Sequence, residues 1–326
     1  MNRRTVILLL SDFERSLPHD GEWPRLPALQ RLLSKGERER LPADYFSSLT
    51  ELLPLSQIVS PELPVAPLSA HGDGLEVSDG WWLHADPVHM VADRDQLYLS
   101  ASEILEVTQS EADSVVAELN HLYQDEGWKF AAPSPQRWYL RLPQALAMHT
   151  IPTQAAMGRP VGEVLPQGDD ALYWQRVMTE IQMVLHTSPI NDRRSEAGLL
   201  ELNSLWFWGG GELPQADFQP GFSRVVADDP LVKGLARLHG LLVESADTAS
   251  MEVASGEKIL WQARMESLGS SEQVLFAPLL NMLQTGKLDE VVIMLPELGR
   301  WRIERPALRR WWRRIKPLAS LLKEEG

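Results

Sequence analysis

The apolar positions at the start of the chain form one continuous run. Residues 6–10 are all apolar within the segment 5–12, and such a short run is typical of a strand buried on both faces of a sheet. Leucines then recur at helical spacing across 26–36, with Pro27 near the first position and a glycine at the last, which predicts a helix. We therefore expect a strand–loop–helix unit with Asp12 at the polar end of its strand.

Strand-like and helix-like patterns continue to alternate along the chain. Residues 96–100 and 138–142 alternate between apolar and polar positions and flank a helical pattern at 110–123, for which Ser110 is the expected cap. Further helical patterns cover 171–186, 231–242 and 274–283, and apolar strand patterns cover 205–211 and 290–295. This order predicts an α/β protein with a doubly wound sheet and a smaller inserted α/β domain.

Composition excludes several classes of function. The 326 residues include no cysteine, which rules out disulfides, thiolate nucleophiles and cysteine-ligated metals. The net charge of −14 argues against general attraction to nucleic acid, because a phosphate backbone would be repelled. The longest apolar run is far shorter than the roughly 20 residues that cross a bilayer, and no signal-peptide cleavage pattern follows it. We expect a cytoplasmic protein with no transmembrane segment.

Two histidines and a carboxylate occur close together at 84–89. His84, Asp86 and His89 are ligand types that suit zinc or manganese. Pro87 stiffens the segment, however, so the two imidazoles need not face the same point. Ordinary hydrogen-bonded histidines are the favoured alternative.

Two further segments have the composition of an anion site. Arg94 lies between Asp93 and Asp95, which predicts either an anion-and-metal corner or a solvated turn with local ion pairs. The three glycines at 209–211 follow an aromatic strand and would expose backbone N–H groups to an anion. Their spacing is not that of a nucleotide-binding fingerprint, and a tight turn beneath packed tryptophans is the equal alternative.

A third candidate anion site follows the helical pattern that ends near His186. Asn191, Arg193 and Arg194 bring an amide and two guanidinium groups to one loop, and guanidinium forks suit phosphate or carboxylate. The alternative is a helix cap with surface arginines, and the pattern does not decide between them.

The end of the chain is locally basic, in contrast to the acidic remainder. Between 300 and 316 seven arginines and one lysine stand against a single acid, with tryptophans interleaved. This composition predicts a surface for an anionic membrane, RNA or an acidic partner, or else tryptophans that cap the sheet while the arginines pair with acids of the chain itself. The candidate surface residues are Trp301, Arg309, Arg310, Trp311, Trp312 and Arg313.

Several blocks of the sequence resemble known families. Residues 188–198, 203–211 and 231–240, in this order, resemble the archaeal-type cofactor-independent phosphoglycerate mutases, and the early segments 5–12, 26–36 and 64–72 also look like theirs. The blocks 82–89, 137–139, 180–183 and 206–211 more closely resemble the bacterial regulatory protein RpfE type family, an outlying branch of that group. The resemblance implies an alkaline-phosphatase-like core at 1–90 and 170–326 with an inserted α/β domain at 91–169.

The same resemblance implies how the site has changed. The family transfers a phosphoryl group through a serine beside two divalent metals, and Asp12 matches the first metal ligand. The serine position falls on Leu63, and Ser60 or Ser69 would replace it only in another register.

The later Asp-His ligands of the family have no counterpart in the aligned segments. Residues 256–269 contain neither aspartate nor histidine, and residues 296–299 stand where the family has Asp-His. No histidine follows His239. The resemblance therefore implies that the two-metal centre is lost, while the loop at 191–194 is retained.

We therefore expect a catalytically degenerate, regulatory or scaffolding protein without a cofactor. It would bind a small phosphorylated ligand, and a protein partner through its basic C-terminal segment. The alternative is an active metal-dependent phosphomutase or phosphatase with a rebuilt site and two divalent metals such as manganese. The ligand-binding candidates are Asp86, His89, Arg94, Asn191, Arg193 and Arg194; the metal candidates, under the alternative alone, are Asp12 and His84.

Overall fold

The computed structural model describes nine stretches of the chain: residues 3–18, 23–39, 44–56, 62–77, 79–94, 96–100, 105–216, 219–265 and 267–322. Two compact units divide it. The first consists of Met1–Ser56 and Gln215–Gly326, and the second of Gln57–Pro214.

The strands and helices are numbered in chain order. The strands are β1 (Thr5–Ser11), β2 (Glu37–Glu39), β3 (Leu55–Ser56), β4 (Trp81–Asp93), β5 (Gln96–Ser100), β6 (Lys129–Ser134), β7 (Arg137–Leu142), β8 (Ser204–Gly211), β9 (Gln215–Ala216), β10 (Arg224–Val226), β11 (Leu242–Glu244), β12 (Lys258–Arg264), β13 (Glu290–Leu295) and β14 (Gly299–Glu304). The helices are α1 (Pro27–Lys35), α2 (Tyr45–Leu52), α3 (Val65–Gly72), α4 (Gln109–Leu122), α5 (Thr153–Ala156), α6 (Val161–Val164), α7 (Ala171–His186), α8 (Pro189–Glu196), α9 (Pro230–Leu238), α10 (Leu268–Ser271), α11 (Ala277–Thr285) and α12 (Leu318–Leu322). Among the described residues no helix is both long and apolar enough to cross a membrane.

The first unit is built on a mixed sheet with strand order β11-β10-β12-β1-β13-β14-β2. Strands β11, β10, β12, β1 and β13 are parallel to one another. Strand β14 pairs antiparallel with β13, and β2 pairs antiparallel with β14. Strand β1 is buried along its apolar length, which confirms the two-sided burial predicted from its sequence. The predicted strand at 290–295 and the predicted helix at 26–36 are likewise confirmed, as β13 and α1.

One face of this sheet packs against α1 and α11. Residues Val6, Leu8 and Leu10 point to this face, together with alternate residues of β12, β13 and β14. Trp301 of β14 is only 1% exposed there, and the guanidinium of Arg38 lies 4.9 Å from its ring centroid. The expectation that Trp301 belongs to an interaction surface is therefore wrong, because the alternation of β14 turns it into the core.

The second unit contains a five-stranded sheet of strand order β5-β4-β7-β6, with β8 also paired to β4. The predicted strand–helix–strand module at 96–142 is present as β5, α4 and β7, with β6 as a further strand. Helix α4 is capped by Thr108, not by the expected Ser110. The Thr108 side chain accepts from the Glu111 backbone N–H while the Glu111 carboxylate accepts from the Thr108 N–H, which is a capping box.

The second compact unit, Gln57–Pro214, has wider bounds than the inserted domain expected at 91–169. The long strand β4 pairs with β7 on one side and with β8 on the other, so residues 81–93 and 204–211 belong to one sheet. Sequence patterns show which segments are strands, whereas this pairing between distant segments is a tertiary property.

The three glycines at 209–211 lie within strand β8 and pack closely against neighbouring chain segments. A Cβ on Gly211 would lie 2.4 Å from Pro64 Cβ, and one on Gly210 would lie 2.9 Å from Trp81 Nε1. The Gly209 N–H already donates to Thr150 Oγ1 at 3.2 Å. The glycines are thus required for close packing, and this geometry favours the structural alternative over an anion loop.

We expect the substitution Gly211→Ala to lower the free energy of unfolding by about 2 kcal/mol, because the added methyl group overlaps Pro64. The matched control is Gly162→Ala in α6, where a Cβ meets no atom within 4 Å. Urea unfolding of both variants measures the difference. Equal stabilities would contradict the packing role of Gly211.

Candidate functional site

The carboxyl ends of the parallel strands of the first unit carry a cluster of charged residues. In open α/β sheets, ligands bind beyond these strand ends. Asp12 follows β1, Arg264 ends β12 and Glu297 follows β13, while Glu14 and Arg15 form the first turn after Asp12. We call these five residues the carboxyl edge.

Both oxygens of the Asp12 carboxylate contact a guanidinium group. Arg264 Nε donates to Asp12 Oδ2 at 3.0 Å, and Arg15 Nη1 lies 3.3 Å from Oδ1. The carboxylate is 28% exposed, so water also reaches it. Two cations of the chain itself therefore neutralise the residue that the resemblance implies as a metal ligand.

Backbone conformation at this edge is unusual for the residues present. Asp12 has φ of 56° and Glu297 has φ of 69°, both in the left-handed region, and the strands that they follow are neighbours in the sheet. Aspartate tolerates this region, whereas a longer side chain adopts it at a cost, and such residues concentrate at functional sites.

Two carboxyl groups, those of Glu14 and Glu297, contact each other at the same edge. Partial burial raises the pKa of Glu14, and the charge and hydrogen bond of Glu297 raise it further. Two carboxylates at hydrogen-bond distance favour one bound proton, because the proton relieves their repulsion. Glu14 therefore holds a proton more tightly than an ordinary exposed glutamate.

A tyrosine hydroxyl is also fixed within the first unit. Tyr45 Oη donates to Asp229 Oδ2 at 3.0 Å, and Asp229 also accepts from the Leu231 N–H at the start of α9. Burial, then the Asp229 carboxylate, raises the pKa of Tyr45 well above its ordinary value. This hydroxyl therefore stays protonated and acts as a hydrogen-bond donor.

Sequence reasoning identified Asp12 at this edge but missed Glu14, Arg15, Arg264 and Glu297. The sequence feature that could have identified these four residues is their position, because each lies at or just after the end of an apolar strand. A charged residue at a strand end is common, however, and the parallel pairing that brings these ends together is not visible in any one segment.

The carboxyl edge does not fit a pair of divalent cations. A divalent cation needs several carboxylate or imidazole ligands to compensate its dehydration. Across the described part of the chain no group of three or more histidines, aspartates and glutamates could hold a metal ion. At Asp12 a cation would have to displace or adjoin two guanidinium groups, which repel it.

The serine position of the resemblance lacks a nucleophile. Leu63 stands two residues before the start of α3 and has no hydroxyl group. Ser69 lies within α3 and is only 2% exposed, while Ser60 lies outside the described residues.

In the second unit, His84 and Asp86 belong to a buried aromatic cluster. The His84 ring stacks on Trp208 with centroids 4.3 Å apart, and its Nδ1 lies 3.6 Å from Asp86 Oδ1. Asp86 Oδ2 accepts from Trp208 Nε1 at 2.7 Å and from Thr153 Oγ1 at 2.5 Å. His84 and Asp86 are 3% and 8% exposed, so a ligand reaches neither without displacing the cluster.

His89 points away from this cluster. It lies five residues beyond His84 on β4, and an odd separation on a strand puts two side chains on opposite faces. His89 Nδ1 is 2.7 Å from the carbonyl oxygen of Glu201. The structure therefore brings His84 and Asp86 together and leaves His89 apart.

The segment 191–194, expected as an anion-binding loop, lies in helix α8, and its buried side chains hydrogen-bond to other groups of the chain. The Asn191 amide donates to the carbonyl oxygens of Leu185 and Leu202 at 2.7 and 2.8 Å and accepts from the Leu202 N–H. Arg194 is 1% exposed, donates to Glu111 Oε1 at 2.8 Å and bonds the carbonyl of Leu105. This arrangement is that of a structural brace.

The remaining anion candidates are exposed. Arg193 projects to solvent from α8. Arg94 is exposed at the turn between β4 and β5 with φ of 56°, and its neighbour Asp95 lies outside the described residues.

The basic C-terminal segment divides into braced and exposed residues. Arg310 pairs with Glu37 at 2.9 Å, and Arg313 donates to the Gly36 carbonyl at 2.7 Å. Trp311 and Trp312, in contrast, are 85% and 64% exposed, and Arg309 beside them is also exposed.

Comparison with known proteins relates part of the chain to one group of enzymes. The 2,3-bisphosphoglycerate-independent phosphoglycerate mutase of Methanothrix thermoacetophila is 31% identical over 130 residues, which are 38% of this chain and 32% of that protein. The probable enzyme of the same name from Geobacter sulfurreducens is 30% identical over 131 residues, covering 39% and 33%. This chain is a relative of the cofactor-independent phosphoglycerate mutases.

The relationship covers only part of those mutases. The chain matches about a third of the length of these two relatives. Another mutase, from Methanosarcina mazei, is matched over 44% of its length at 24% identity. No family model matches the sequence. The closer resemblance to the RpfE type family therefore stays a prediction.

A solved structure extends the likeness at the level of the fold. A protein from Pyrococcus horikoshii, PH0037, aligns over 90% of this chain and 81% of its own, with a TM-score of 0.52 and 16% identity. A cofactor-independent phosphoglycerate mutase from Thermoplasma acidophilum aligns over 98% and 94%, with a TM-score of 0.48 and 16% identity. The predicted α/β class is confirmed by the sheets and helices described above and by the fold shared with PH0037.

The structure predicts different outcomes for the two adjacent arginines of α8. Arg194→Leu should lower the free energy of unfolding by about 3 kcal/mol, because it breaks the ion pair with Glu111 and leaves the carbonyl oxygens of Leu105 and Leu200 without their buried donor. Arg193→Leu, at an exposed position, should change it by less than about 0.5 kcal/mol. Chemical denaturation measures both, and equal effects would contradict the structural role of Arg194.

Proposed function

We propose that this chain is a catalytically degenerate relative of the phosphoglycerate mutases that acts by binding, in a regulatory or scaffolding role. The observation that carries the proposal is the double contact of Asp12 with Arg264 and Arg15, at 3.0 and 3.3 Å. A carboxylate held in this way is already neutralised. It therefore contributes little to the binding of a divalent cation.

The electrostatics of the edge support the same conclusion. In metal-dependent phosphoryl transfer, the cations activate the nucleophile and neutralise the charge of the transferred group. Here the cationic groups at the strand ends are guanidiniums, which neutralise charge but do not activate a hydroxyl by coordination. Leu63, at the serine position, also lacks the atom that would attack.

The exposed tryptophans supply a surface for the binding role. Trp311, Trp312 and Ile315 are 85%, 64% and 55% exposed, and the cations Arg314 and Lys316 adjoin them. Tryptophan and arginine are enriched where proteins bind each other, and the local positive charge complements an acidic protein. We propose this segment, 309–316, as the docking surface for an acidic protein partner.

Calorimetric titration of chelator-treated protein with manganese tests the loss of the metal centre. We expect no saturable binding of two ions per chain and no phosphoglycerate mutase activity in the presence of manganese. The matched variant is Asp12→Asn, which should give the same titration as the natural chain. Saturable binding of two ions that Asp12→Asn abolishes, together with mutase activity, would overturn the proposal in favour of an active enzyme.

The tryptophans also predict a contrast in stability. The double variant Trp311→Ser, Trp312→Ser should change the free energy of unfolding by less than about 0.5 kcal/mol, because both rings are exposed. Trp301→Ser should cost about 4 kcal/mol, since this ring fills the core. Thermal and urea unfolding give both values. A large loss in the double variant would show that the exposed rings serve folding instead of binding.

A further inference from the structure

A cavity of about 220 Å³ lies in the first unit, on the sheet face opposite α1 and α11. Ile7, Val292 and Met294 form its apolar floor, since they alternate with the residues that face the helices. Lys258, Arg300 and Arg302 also line it, against Glu51 as the acid in the lining.

Lys258 of this cavity lies at the opposite end of its strand from the carboxyl edge. Lys258 is the first residue of β12 and Arg264 is the last. Six residues of extended strand span roughly 20 Å, because a strand rises about 3.3 Å per residue. A charged group bound to Lys258 would therefore lie at the amino-terminal end of β12, away from the contact between Arg264 and Asp12.

The two arginines of the cavity have carboxylate partners. Arg300 pairs with Glu51 and, at 3.8 Å, with Glu39, while Arg302 Nε lies 3.4 Å from Glu290 Oε1. Both side chains are thereby held in place. They still carry N–H groups beyond those used in these pairs, because a guanidinium has five.

Lys258, unlike the two arginines, has no carboxylate partner among the described residues. Within the described ranges no carboxylate lies within 4.0 Å of its ammonium group, which instead sits 4.6 Å from the Phe222 ring centroid. Burial lowers the pKa of Lys258; the charge of Glu290 raises it, and Arg302 and Arg300 lower it again, with a net lowering. The ammonium group therefore lies in a partly buried position where added negative charge would be favourable.

We propose that this cavity binds a small organic anion with an apolar portion, whose carboxylate or phosphate contacts Lys258 while its apolar part lies on Ile7 and Val292. The volume is below the roughly 300–1,000 Å³ of sites for drug-sized ligands, so the cavity suits a smaller molecule. The charged group gains charge-assisted hydrogen bonds, and the apolar part gains burial. The inference does not depend on the loss of the metal centre.

Calorimetric titration with phenyl phosphate, inorganic phosphate and benzyl alcohol tests the proposal on the full chain. Phenyl phosphate should bind more tightly than either of the others, because it alone supplies both the charge and the apolar part. Lys258→Met should weaken phenyl phosphate about 10-fold, the loss of one charge-assisted contact. Lys258→Arg should retain most of the affinity, and the exposed control Lys287→Met should bind like the natural chain.

Several results would overturn this inference. Failure of the natural chain to bind phenyl phosphate would do so, as would unchanged affinity in Lys258→Met. Equal binding of benzyl alcohol would show a purely apolar cavity, and equal binding of inorganic phosphate would show that the floor is not used. If Lys258→Met unfolds, Lys258→Arg and Lys258→Gln replace it, with the folding of both checked by circular dichroism. Binding of phenyl phosphate that Lys258→Arg retains and Lys258→Gln loses would support the role of the positive charge. Binding that Lys258→Gln retains would overturn it.

Discussion

A single carboxylate cannot satisfy two guanidinium groups and also hold a pair of divalent cations. Asp12 stands at the end of the central strand β1, where the fold concentrates polar groups, and both of its oxygens contact arginines. Because Arg264 belongs to the neighbouring strand β12, the contact follows from the strand pairing itself. The edge therefore supports charge neutralisation by its own guanidinium groups.

The same sheet separates two environments. At the carboxyl ends, acids and arginines meet in a partly exposed cluster. On the face opposite the helices, Lys258 and two paired arginines surround an apolar floor. One scaffold thus offers an edge at which positive and negative groups are paired and a cavity in which one ammonium group has no carboxylate contact among the described residues.

Local patterns predicted the elements better than their arrangement. Strands β1 and β13 and helix α1 follow from continuous apolar runs and helical spacing, which report burial directly. The burial of single side chains depends on tertiary contacts. Trp301 faces the core because the side chains of β14 alternate between the two faces of the sheet, and Arg194 is buried because α8 packs near Glu111. Arg264 escaped prediction because its partner Asp12 is 252 residues away in sequence.

The sequence similarity to the mutases covers about a third of their length. The functional proposal therefore depends mainly on the residues of the carboxyl edge. The most direct measurement is a crystal structure of the full chain grown in manganese, with anomalous diffraction recorded at the manganese edge. We predict that Arg264 and Arg15 remain on Asp12 and that no anomalous peak adjoins its carboxylate. Two peaks beside Asp12, with the arginines displaced, would contradict the loss of the metal centre.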